Sequence, residues 1–242
     1  MWTRAELKMK GKAAFKANFF FCVVVALILV IVNGGFSAGS GAASGINFSF
    51  EVNDPSSISN VFDGLSESAK MGIGAIVLGF VGLAGITSLL LSIFLFNPVK
   101  VSCRKFFFYN SYAPAQLNEL KYSFSEGRYG NVVKVMFLRD LFVFLWTLLF
   151  IIPGIVKSYQ YRMVPYILAE DPFIDYKQAL ELSKNMMNGQ KWRTFVLDIS
   201  FIGWYFLAAI TFFILGVLYV EPYVAATDAE LYRVLRQGYV NA

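Results

Sequence analysis

Residues 151–193 read IIPGIVKSYQYRMVPYILAEDPFIDYKQALELSKNMMNGQKWR. An apolar run ends at Pro153-Gly154, and Lys157 and Arg162 follow in a segment otherwise fit for lipid. A polar stretch, 171–193, then leads into the next apolar run. Ionisable residues at membrane depth are costly and mark either a function or a tight pairing. If Pro153-Gly154 is a hairpin turn, the chain crosses a bilayer six times. If it only kinks one helix, there are four crossings, and Lys177, Lys184, Lys191 and Arg193 fall outside. The hairpin puts every Lys and Arg except Lys70, Lys157 and Arg162 inside, as the positive-inside tendency requires. A Pro-Gly pair between apolar runs is also a turn signal. The expected fold is therefore all-α and polytopic. It has six transmembrane helices as three hairpins with juxtamembrane amphipathic helices, and both termini are cytoplasmic.

Composition agrees with a bilayer setting. The 242 residues are 57% hydrophobic and 15% charged, against about 45–50% and about 25% for a soluble domain. The net charge of +5 is spread between apolar runs, which reads as topology and contact with anionic headgroups rather than nucleic-acid binding. There is no histidine, so Ser-His and Cys-His catalysis and His-ligated metals are excluded. Cys22 and Cys103 read as two unpaired thiols. No cofactor or metal is expected.

The chain reads as a single membrane domain, 1–242. Residues 1–18 form a basic amphipathic helix, read as retained because it is long for the start of a signal peptide. Residues 19–98 form the first hairpin, with spans at 19–32 and 71–96 and an extracellular loop at 33–70 that has acids but, before Lys70, no cation. Glycines at 72, 74, 79, 82 and 85 suit close helix packing. Residues 99–170 form a cytoplasmic segment and the second hairpin. Residues 171–242 form an amphipathic helix, the third hairpin and the C-terminal tail.

Three stretches look alike. Glu6-Leu7, Glu119-Leu120 and Glu181-Leu182 precede apolar runs, and prolines recur at Asn97-Pro98, Val164-Pro165 and Glu221-Pro222. The segments PYILAED and PYVAATD follow the last two. A threefold repeat of surface helix plus hairpin is expected.

The candidate polar site consists of Arg162 with Asp198 or Asp140 towards the inner side, and Lys157 with Glu221 towards the outer. Tyr159 and Tyr166 flank Arg162. Pro153, Gly154, Pro165 and Pro222 are the helix breaks, and the prolines free carbonyls beside these charges. These pairs either neutralise one another and fix helix register or line a path for an ion, proton or amphiphile.

Ile152-Pro153-Gly154-Ile155, Tyr166 to Glu170, Ala179-Leu180, Ser183, Met186-Met187, Gly189 and Lys191-Trp192 resemble a family of uncharacterised, mainly Gram-positive, bacterial integral membrane proteins. They are more distantly similar to the membrane domain attached to some glycerophosphodiester phosphodiesterases. The resemblance implies a six-helix membrane domain and supplies no catalytic residues. The functional expectation is a non-enzymatic, membrane-organising or partner-binding component of the bacterial cytoplasmic membrane, as a homo-oligomer or with a membrane-protein partner. A small transporter is the alternative, and an intramembrane lipid-modifying enzyme the third reading.

Overall fold

Thr3 starts the first helix: its hydroxyl accepts from the Glu6 N–H at 3.2 Å, and Lys10 closes on Glu6 at 2.6 Å. This helix, α1 (Arg4–Ala17), buries Leu7, Gly11 and Phe15 on one face. It ends at Asn18, whose amide donates to Asn110 Oδ1 and to the Ala115 carbonyl. There the chain turns by 107° into α2 (Phe19–Val30). The computed structural model describes residues 2–35, 66–125, 127–211 and 214–240, so most of the expected 33–70 loop lies outside the described residues.

Every regular element among the described residues is helical, so the protein is all-α. After α2 come α3 (Glu67–Leu91), α4 (Asn97–Asn110), a 3-10 turn (Leu117–Phe124), α5 (Tyr129–Leu149) and α6 (Ile151–Gln160). They are followed by α7 (Val164–Glu170), α8 (Tyr176–Met186), α9 (Lys191–Ile199), α10 (Ile202–Ile210) and α11 (Glu221–Val240).

Prolines place the joints. Pro98 and Pro222 each follow a π-helical turn, Ser92–Phe96 and Gly216–Val220. A proline has no N–H and its ring crowds the carbonyl four residues back, so the preceding turn widens. The Phe94 carbonyl freed at Pro98 accepts from the Tyr129 hydroxyl at 2.7 Å. Pro165 instead breaks the chain into a turn between α6 and α7, where the Val164 N–H donates to the Tyr161 carbonyl at 3.3 Å. The segment after Pro98, expected to be cytoplasmic loop, is helical to Asn110 because the π turn absorbs the proline without ending the helix.

The chain does reverse near Pro153-Gly154. Residues seven apart lie about 10 Å apart along a continuous helix, yet a Cβ on Gly154 would run into the backbone of Thr147. Phe150 is the extended hinge residue, with φ −154° and ψ 138°, and Pro153 sits in the first turn of α6.

The expectation of six spans is not met. Two helices among the described residues are long and apolar enough to cross a membrane, Gly82–Asn110 and Lys191–Ile210, or three if the bent pair at Asn18 counts as one. The reasons are local. α6 has 10 residues, about 15 Å against a hydrocarbon core of about 30 Å. α5 is long enough but carries Lys134, Arg139 and Asp140.

Two zones result. In the first, α4, α7 and α11 pack together under α1 and α8, burying Val101, Phe106, Phe107, Val164, Leu168, Ala226, Leu231 and Tyr232. α1 lies along α11, with Gly11 directly against Thr227. In the second, α3, the end of α5, the start of α6 and α10 expose large apolar side chains, including Phe80, Leu83, Leu148, Ile152 and Phe206. The surface segments of the expected repeat differ: α1 and α8 are α-helices, while the middle one is the 3-10 turn. The three proline-led helices α4, α7 and α11 do converge.

Candidate functional site

The break before Pro165 leaves Arg162 in a turn rather than on a helix face. Its guanidinium takes Asp198 of α9 in a fork, Nη1 to Oδ2 at 2.5 Å and Nη2 to Oδ1 at 3.0 Å. Nη2 also donates to Asp228 Oδ1 of α11 at 2.7 Å. Bidentate charge-assisted contacts of this kind are the strong ones. The Tyr159 hydroxyl adds a bond to Asp198 Oδ2 at 2.8 Å. Asp228 Oδ2 lies 3.5 Å from Arg104 Nη1 of α4, and the same Nη1 reaches the Tyr166 hydroxyl at 3.2 Å.

The chain of contacts continues beyond Tyr166. Its ring stacks on Tyr232, centroids 5.0 Å apart and 15° from parallel. The Tyr232 hydroxyl donates to Glu170 Oε2 at 2.7 Å, and Arg236 Nε donates to the same oxygen at 2.9 Å. Burial, and then the bond to Glu170, hold the Tyr232 phenol well above its ordinary range. Glu170 and Arg236 line a cavity of about 490 Å³ whose walls include Phe108, Ile167 and Leu182.

Of the expected residues, Arg162, Asp198 and Tyr159 come together, while Tyr166 goes to Arg104. Asp140 is not on Arg162. It accepts from Asn97 Nδ2 at 3.0 Å and lies 3.2 Å from its neighbour Arg139. The expected Lys157–Glu221 pair is not formed. Lys157 folds back over the Trp146 ring at 4.8 Å because the hairpin brings α5 beside it, and Glu221 faces the Tyr205 hydroxyl. Pro153 and Gly154 make the reversal, while Pro165 and Pro222 set the ends of the helices that carry the network.

Asp228, Arg104, Glu170, Tyr232 and Arg236 were missed. The signal for Asp228 was present, since it ends PYVAATD as Asp171 ends PYILAED. The two aspartates nevertheless differ in role: Asp171 caps a turn at the Phe173 N–H, 2.9 Å away. Both cysteines are buried and free. Among the described residues, no three acidic or thiol side chains gather closely enough to hold a metal ion.

Residues 149–238 match a family model described as a protein of unknown function, DUF975. No curated protein and no solved structure matches the chain. The likeness is to an uncharacterised family, over the segment that carries Arg162, Asp198, Asp228 and Glu170.

Proposed function

We propose that the protein is a non-enzymatic component of the bacterial cytoplasmic membrane that organises or docks other membrane components. In this reading the Arg162 network is its structural clamp. The observation that carries the reading is the closure of the network. Arg162 and Arg104 are opposed by Asp198 and Asp228, and each carboxylate is engaged by an arginine. Buried charges that neutralise one another fix the register of the helices that bear them.

The large apolar side chains exposed along α3, the end of α5, the start of α6 and α10 support membrane embedding, because apolar surface gathered in patches is unfavourable in water. Packing of α1 along α11 supports a shared side for both ends, and their basic residues favour the cytoplasmic one. The resemblance to a membrane domain that lies apart from phosphodiesterase chemistry fits a non-enzymatic role. A homo-oligomer or another membrane protein is the partner proposed.

One observation favours transport instead. Polar contacts run from Tyr159 to Tyr166 and from Tyr232 to Arg236 on the cavity, and the Tyr166–Tyr232 ring stack joins the two runs. Reconstitution into vesicles loaded with a pH-sensitive dye separates the two readings. The clamp reading expects proton leakage equal to that of protein-free vesicles. A flux present in wild type and lost in Arg162→Gln would replace it with a transporter.

A further inference from the structure

Asn97, Lys100 and Arg104 follow one another along one face of α4 at helical spacing. Arg104 is held by Asp228 and Tyr166, as described. Lys100 lies one turn on from Asn97 and feels the charges of Asp140, Arg139 and Arg104, of which Asp140 is the one carboxylate. Glu221 faces the Tyr205 hydroxyl instead of Lys100 and Arg139. The α4–α5 contact itself therefore carries two cations, Lys100 and Arg139, and one carboxylate, Asp140.

The hydrogen bonding is incomplete in the same place. Arg139 Nε is buried without a partner, and so is Asn97 Oδ1. The Asn97 amide is oriented by its bond from Nδ2 to Asp140, so Oδ1 is the atom left over. Lys100, the orphan donor of Arg139 and the orphan acceptor of Asn97 thus all belong to side chains that neighbour Asp140. The site also sits where exposure changes: Phe94 and Leu95 just before it and Phe144 and Leu145 just beyond it are exposed, whereas Val101, Val135 and Met136 are buried.

We propose that Lys100, Arg139 and Asn97 bind the phosphate ester of an anionic headgroup that also carries a hydroxyl. The phosphate answers Lys100 and Arg139, and the hydroxyl donates to Asn97 Oδ1. A phosphatidylglycerol-type lipid has this chemistry, and its acyl chains would lie along the exposed faces of α3 and α5. Basic pockets between helices at the cytoplasmic boundary recognise such headgroups. The lipid source rests on the membrane reading above, and a free phosphate shares the polar chemistry.

Delipidated protein in neutral detergent is titrated with phosphatidylglycerol, with phosphatidylcholine of the same chains, or with inorganic phosphate, and Tm is followed. Phosphatidylglycerol is expected to raise Tm and phosphatidylcholine to leave it unchanged. Lys100→Gln and Arg139→Gln each raise the apparent Kd for phosphatidylglycerol about fivefold, the effect of one basic residue at a membrane surface. Lys121→Gln, on the exposed 3-10 turn, leaves it unchanged. Asp140→Asn removes the competing carboxylate and tightens binding, which tests the site without weakening it. If inorganic phosphate reproduces the shift in wild type and not in the two Gln variants, the site stands with a soluble occupant. Equal shifts in wild type and both Gln variants, or no shift with any ligand, overturn it. Protein that partitions into the aqueous fraction without detergent refutes the membrane reading separately and leaves the phosphate titration to decide the site.

Discussion

Asp228 is the residue on which the charge network turns, since its two oxygens face two different arginines. Replacing it with Asn removes the ion pair of Arg104 and leaves Arg162 with Asp198. Removing one partner of a buried pair costs about 3–5 kcal/mol, so Asp228→Asn is expected to lower Tm in detergent far more than Asp140→Asn, whose side chain is 46% exposed. Tyr159→Phe removes a hydrogen bond to a charged acceptor and is expected to cost about 1.5–3 kcal/mol in the same assay. Glu230 gives a pH signature. Burial holds its carboxyl above the usual value of 4.5, although Arg233 lies 3.1 Å away. The folded protein therefore binds this proton more tightly than the unfolded chain. The stability that follows is fully present below the unfolded value and is lost as pH rises through the raised folded value. Glu230→Gln should melt higher than wild type at pH about 7, with the difference shrinking towards zero near pH 4.5. A difference that grows on acidification would show that the Arg233 pairing dominates burial.

Among the elements, α1 and α11 depend on one missing side chain. A Cβ at Gly11 would lie 2.7 Å from Thr227 Oγ1 and 2.9 Å from the Thr227 backbone, which cannot swing aside as a side chain can. Gly11→Val is expected to lift α1 off α11, exposing Leu7 and Phe15 and destabilising by roughly 2–4 kcal/mol as two buried side chains lose part of their cover. Limited proteolysis reads this directly: cleavage within α1 should rise in the variant while the α8 and α9 segments stay protected. The hairpin of α5 and α6 relies in the same way on Gly154 against Thr147. Pro153-Gly154 was readable as a break because few other pairs end an apolar run so firmly. That the hinge itself is Phe150 was not readable, since an extended φ of −154° is open to any residue.

At the scale of the whole molecule, α1, α8 and α11 all pack on one zone, so residues exposed on them should share one side of a membrane. Single cysteines at Lys12, Lys184 and Gln237, in a chain lacking Cys22 and Cys103, are expected to resist a membrane-impermeant maleimide in intact cells and to label together after permeabilisation. Labelling of Lys184→Cys alone in intact cells would refute the shared side. An all-helical, apolar chain with interspersed cations was determined by the amino-acid sequence alone, because hydrophobicity and helical periodicity are local properties. The meeting of Arg162 and Asp198 was legible for the same reason: each interrupts an apolar run and needs an opposite charge. The number of long apolar helices was not, because charges within α5 and the shortness of α6 matter only once helix limits are set by packing and proline. Asp228, Arg104 and the Tyr166–Tyr232 stack were decided only in the tertiary structure. They lie 62 to 124 residues from their partners in sequence, and no local pattern records which helices converge.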